Sequence, residues 1–203
     1  MSSEALFYSK GLCIDGGSVL QDISVLSGDV VWFASENPLA FELFTAFILG
    51  LIKVRKGRVN VCGKDINAIP HNVISYFDIV NWYPELGSID SLVNVLVYSR
   101  GLQPSFVLNE FKRILSGIGG AYALNLSLNE MTHTTKIMVS TALVMSMPSL
   151  IMLLHNPFEY LDKEGKAFLN TEIKNVSNDG SSVFILSDAE PAFYNKSMEM
   201  VLK

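Results

Sequence analysis

The order of elements predicts an α/β fold, a mainly parallel sheet covered by helices. Strand-to-helix alternation occurs twice, at residues 30–51 and again at 149–176, and a further apolar strand follows at 182–187. These strands are continuously apolar, as strands buried on both faces are. The stretch between the two alternations reads as a largely helical insert, about residues 80–147.

The elements follow from the pattern. Short β-rich runs come first, at 6–9, 19–26 and 30–34. The last leads through Ser35-Glu36-Asn37-Pro38 into a segment of helical period at 39–51. Residues 57–63 alternate as a strand between two glycines, and 73–77 is another short strand. Residues 91–100, 107–115 and 134–145 carry helical periodicity. A strand at 149–154 follows Pro148, and an amphipathic helix at 163–176 precedes the strand at 182–187. No repeat or linker divides the chain, so residues 1–203 are expected to form one domain.

Of the 203 residues, 49% are hydrophobic and 17% charged, where soluble domains carry about 25% charged. The two richest apolar runs, 40–52 and 137–154, are interrupted by Glu42 and Thr45 and by Ser140, Thr141, Ser146 and Pro148. Both fall short of a membrane span and are expected to be buried core. The first ten residues have no apolar stretch of the export type, and a cytosolic location is the expectation. A net charge of −5 argues against nucleic acid as a partner. One basic cluster, Lys53, Arg55, Lys56, Arg58 and Lys64, reads either as a solvated loop face or as a contact for a partner or lipid headgroups. Cys13 and Cys62, in apolar strand-like contexts, read as reduced structural thiols. Five of the eight methionines lie between Met131 and Met152, where core packing and a partner surface are both open.

Several segments then fall into a known order. Val19 to Ser24, Gly28-Asp29, the strand, loop and helix ending Leu49-Gly50-Leu51, and Gly57 to Ile66 resemble the opening of an ABC transporter ATP-binding domain. Pro148 to Asp162 resembles that family's second phosphate-site strand, the proline after it, and the Leu-Asp of its D-loop. Phe184 to Ser187 is similar to the strand before the family's switch histidine. The resemblance implies a P-loop NTPase-like ABC ATPase fold, with antiparallel N-terminal strands, a mainly parallel core sheet and a helical subdomain.

It also implies what is missing. The family's phosphate loop, GxxGxGK[ST], binds phosphates with backbone N–H groups, a lysine and a Mg²⁺-holding hydroxyl. The matching stretch here is Ser35-Glu36-Asn37-Pro38-Leu39-Ala40-Phe41-Glu42-Leu43. Pro38 and Ala40 replace glycines, Phe41 stands at the lysine and Glu42 at the hydroxyl. Losing two or three charge-assisted contacts removes about 4 kcal/mol, which turns micromolar binding into roughly millimolar. Ile79 falls near the Q-loop glutamine, His155 replaces the Mg²⁺-directing aspartate, Asn156 the general base and Asp188 the switch histidine. Cys13 and Ile14 occupy the place of an adenine-stacking aromatic. The signature segment matches either Leu128-Asn-Glu-Met-Thr132 or Leu126-Ser127.

From the residues alone, Asn37 is expected to cap a helix that begins at Pro38 and fills the loop. Glu42 would lie in its first turns, where a carboxylate suits the helix dipole, and is either exposed or set in a phosphate position. No cofactor, metal or catalytic residue is expected. The resemblance implies a non-catalytic subunit on the cytoplasmic face of a membrane. Its partners would be a permease subunit and a homologous ATPase subunit, or itself as a dimer. Trp82 and Tyr83 are candidate anchors for the permease, with core packing as the alternative.

Overall fold

A strand apolar on both faces must be covered twice, and the central strands here have two cores. The computed structural model describes residues 5–14, 18–20, 22–52, 54–68, 73–78 and 88–202. Its strands are β1 (Phe7–Ile14), β2 (Ser18–Leu20), β3 (Ile23–Val25), β4 (Val30–Ala34), β5 (Val54–Val61), β6 (Lys64–Asp65), β7 (Ile74–Ser75), β8 (Ile151–His155), β9 (Ser182–Leu186) and β10 (Lys196–Leu202). The α-helices are α1 (Pro38–Ile48), α2 (Ile89–Ser99), α3 (Pro104–Gly117), α4 (His133–Ser146) and α5 (Lys163–Asn178).

Strands β10, β4, β9, β8 and β7 pair in that order, all parallel. Strands β1, β2, β3, β5 and β6 pair antiparallel, and β10 also pairs antiparallel with β2, so one strand joins both parts. The α/β architecture with a parallel core, antiparallel N-terminal strands and a helical region is therefore as the sequence predicts. Two details differ. The run at 19–26 is two strands, β2 and β3, pairing with β1 on different sides of a break. Strand β10 was not expected, and without it the two parts would not be joined.

Side chains alternate across the parallel sheet with period two. Val30, Met152, Leu154, Val183 and Ile185 enter a core with residues of α2, α3, α4 and α5. Val31, Phe33, Ile151, Leu153, Phe184 and Leu186 enter the other, with Phe41, Phe44 and Phe47 of α1 and with Phe7, Val25 and Val59 of the antiparallel strands. Phe33 packs on Phe44 at 4.5 Å and on Phe184 at 5.1 Å between ring centroids. The five methionines at 131–152 are all buried, which places them in core packing.

Charge and shape fix the helical layer. Arg113 of α3 donates to both Glu110 and the buried Glu172 of α5. Beside it α3 approaches α5 so closely that a Cβ on Gly117 would lie 2.2 Å from Phe168. At the start of β4, Asp29 accepts from the Leu26 backbone N–H at 2.6 Å, from Asn195 at 3.1 Å and from Lys196 at 2.5 Å, tying β4 to β10. Cys62 is exposed in the turn between β5 and β6 at φ 52°, a turn position rather than the strand context expected of it.

Candidate functional site

In open α/β sheets, ligands bind in the crevice beyond the carboxyl ends of the strands. Here that crevice is bounded by the ends of β4, β8 and β9 and by residues 76–78 after β7.

The loop after β4 is short and internally satisfied. Ser35 is buried, donates to the Met200 carbonyl at 3.0 Å and accepts from the Asn37 N–H at 3.1 Å. Asn37 caps α1, its Oδ1 accepting from the Leu39 N–H at 3.0 Å, and its carbonyl accepts from the Ala40 N–H at 2.9 Å. Pro38, at the first helical position, has no N–H to offer. The N–H groups of residues 37, 39 and 40 thus all have partners within the chain, where a phosphate loop turns such groups toward its ligand.

Phe41 is 3% exposed and lies in the aromatic core with its ring 5.5 Å from that of His155. Ala40 is also buried, Leu43 half-buried and Glu42 exposed. Glu42 is the fifth residue of α1, and its first turn holds no acid. The dipole contribution expected of Glu42 is therefore lost, because that effect decays within the first turn.

His155 ends β8, half-buried. Burial holds its imidazole below the ordinary value, against the opposing pull of the carboxylates of Asp78, Glu42, Glu159 and Asp188. The charges of four acids thus act on one half-buried ring. Asn156 follows at φ 46°, a left-handed conformation that asparagine tolerates. Its N–H donates to the Leu186 carbonyl at 2.9 Å, and its Oδ1 is buried with no partner among the described residues. Asp188, exposed at the end of β9, lines a cavity of about 400 Å³ with Asn156, Glu159, Lys166 and Asn170.

A second cavity, of about 630 Å³, is lined by His155. Glu42, Thr45, Ala46, Leu49 and Leu51 form one wall, and Tyr76, Phe77, Asp78 and Leu96 the other. The Tyr76 hydroxyl donates to Asp78 at 3.3 Å, and burial, followed by the Asp78 and Glu42 charges, pushes its phenol well above the ordinary value. Sequence reasoning missed Tyr76 and Asp78 as members of the site. Their proximity depends on the pairing of β7 with β8, which no local pattern announces.

Ile79, Trp82 and Tyr83 lie outside the described residues. Of the two signature matches, residues 128–132 run up to the start of α4, where Thr132 is the N-cap and accepts from the Thr135 N–H at 3.2 Å. Ser127 instead caps a short 3₁₀ turn through a reciprocal pair with Glu130. Among the described residues no three His, Cys, Asp or Glu side chains gather as a metal site, and no helix is long and apolar enough to cross a membrane.

No protein-family model matches the sequence. A protein of Pyrococcus furiosus assigned as an ABC transporter ATP-binding protein is 23% identical over 175 residues, which is 83% of this chain and 65% of the relative. The chain thus spans just under two thirds of the length of that curated relative. Among solved structures, an ABC transporter ATP-binding protein from Pyrococcus furiosus superposes with a TM-score of 0.74 at 18% identity, over 95% of this chain and 96% of the other. CbiO1 of Clostridium perfringens, part of the ABC transporter complex CbiONQ, superposes with a TM-score of 0.70 at 15% identity, over 98% and 88%. The chain therefore has the fold of the ATP-binding proteins of ABC transporters.

Proposed function

We propose that the chain is a non-catalytic ABC ATPase-like subunit. In this reading it docks on the cytoplasmic face of a membrane permease, pairs with a competent ATPase subunit or with a second copy of itself, and contributes geometry or regulation instead of hydrolysis.

The observation that carries this is the start of α1. Its first N–H groups are satisfied by Ser35 and Asn37, and the side chain at the lysine position, Phe41, is packed into the core against His155. Those residues do not fit a polyphosphate with Mg²⁺. No lysine or arginine occurs at residues 35–43, and the charges of Glu42, Asp78, Glu159 and Asp188 all act on His155, against which Phe41 packs, where further negative charge is unfavourable. Asn156, an amide, cannot take a proton from water at neutral pH.

The relatives support the transporter setting, since CbiO1 is part of a transporter complex. The 630 Å³ groove supports the docking. Its apolar walls suit a short helix or loop of a partner, and Glu42 and Asp78 in its lining suit a basic residue on that partner. Trp82 and Tyr83 follow the groove residue Asp78 closely in sequence and are proposed as further anchors.

Titration calorimetry with Mg-ATP tests the first part, with no binding expected below millimolar concentration. Tight binding that Phe41→Asp abolishes would overturn it. Purification of the full chain from its native cells in mild detergent tests the second. A polytopic permease and an intact ATPase are expected as stoichiometric companions, and recovery with soluble proteins alone would make the chain a scaffold unrelated to transport.

A further inference from the structure

The cavity of about 400 Å³ beyond β8 and β9 is within the size range of small-molecule sites. Its lining is rich in acceptors. Glu159, Asp188 and Glu190, all exposed, bring three carboxylates against a single cation, Lys166, among the described residues. The ion pairs among the described residues belong to Arg113 and Lys196 and engage none of these four. The Ser187 hydroxyl, also in the lining, is already used, donating to the Ala189 carbonyl at 2.7 Å.

Two amides set this cavity apart from an ordinary acidic surface. Asn156 follows β8 and Asn170 belongs to α5, and both line the cavity. The Oδ1 of each is buried without a hydrogen-bond partner among the described residues, and these two are the buried side-chain atoms left so there. Buried polar groups are nearly always paired, so an exception marks a missing partner. Both orphans are acceptors, and the missing partner is therefore a donor.

The surrounding charge selects which donor. Three carboxylates disfavour any anion. A metal ion needs its carboxylates in one coordination sphere, and among the described residues no three His, Cys, Asp or Glu side chains gather in that way. An extended organic cation reaches acceptors that stand apart, and a guanidinium carries several N–H donors in one plane. Phe158, Pro191 and Ala192 give apolar wall for its carbon chain.

We infer that this cavity binds a small guanidinium or primary ammonium compound, Asp188 and Glu159 taking its charge while Asn156 and Asn170 accept its N–H groups. The amides turn to it about χ2, a broad and soft torsion in asparagine. This assignment rests on the non-catalytic reading of the crevice, to which Asn156 and Asp188 also belong.

The test is titration calorimetry of the full chain with three probes: agmatine, which carries a guanidinium and a primary ammonium, tetramethylammonium, a cation without N–H groups, and Mg-ATP. Binding is expected for agmatine alone. Asp188→Asn keeps the shape, removes the charge and is expected to weaken agmatine about tenfold, as loss of one charge-assisted hydrogen bond does. Asn170→Leu, similar in size, removes a buried orphan from a helix. It is expected to raise Tm by about 2–4 °C while weakening agmatine about fivefold. That opposite movement excludes misfolding as the cause. No agmatine binding at millimolar concentration, equal binding of tetramethylammonium, or agmatine binding unchanged in both variants would overturn the inference. If Mg-ATP is inert as well, the non-catalytic reading stands without it. Binding of Mg-ATP in place of agmatine would overturn both.

Discussion

Phe41→Ala separates a core residue from a ligand-binding one. The ring is 3% exposed, belongs to the cluster of Phe33, Phe44, Phe47 and Phe184, and lies edge-on to His155 at 5.5 Å. Truncating a buried phenylalanine costs about 3–5 kcal/mol. Its ring neighbour His155 lines the open 630 Å³ groove, so the surroundings can relax into the void, and the expected loss is at the lower end, about 3 kcal/mol. For a chain of this size each kcal/mol is worth about 2–4 °C, which gives a fall in Tm of about 6–12 °C. Urea melts followed by tryptophan fluorescence should show a lowered midpoint with unchanged slope. Mg-ATP at millimolar concentration should protect neither the parent nor the variant, because removing the ring exposes no donor. A fall in Tm below about 2 °C would refute the burial argument. Protection of the variant by nucleotide would refute the claim that the loop lacks phosphate contacts.

Three further outcomes are expected. Because burial lowers the folded-state pKa of His155, its contribution to stability is complete above the ordinary imidazole value and is lost as pH falls through that value toward the folded one. Equilibrium melts from pH 7.5 to 5 should show this decline, and His155→Asn should flatten it. Gly117→Ala, which favours a helix by propensity, is expected to destabilise by about 1–3 kcal/mol because the new methyl meets Phe168, and Phe168→Leu should restore most of the loss in a double variant. Asp29→Ala removes the acceptor shared by Leu26, Asn195 and Lys196 and is expected to cost about 2–3 kcal/mol in urea unfolding, with Asp29→Asn intermediate.

The parts of the fold that were legible in the sequence were those with local causes. The strands at Val30, Ile151 and Ser182 are uninterrupted apolar runs, and α1 announces its start through Asn37 and Pro38. Strand β10 was missed although Met198 and Met200 alternate with Ser197 and Glu199. Its partners, β2 and β4, are more than 160 residues away in sequence, and a short alternating run gains strand character only from such partners. The same division holds for the crevice. The replaced phosphate loop could be read because its residues are contiguous. The place of Asp78 beside His155 could not, since it follows β7, which the sheet order alone brings beside β8.

The position of β10 has a consequence for how the chain is made. It lies between β2 and β4 and is translated after every strand it joins. During synthesis the antiparallel and parallel parts therefore each present an open edge, with unpaired N–H and C=O groups, to chaperones and to neighbouring nascent chains. Assembly of this protein in the cell is thus exposed to error until seven late residues close the gap, and the sensitivity of its yield to the last strand should exceed anything the folded state's contacts there would suggest.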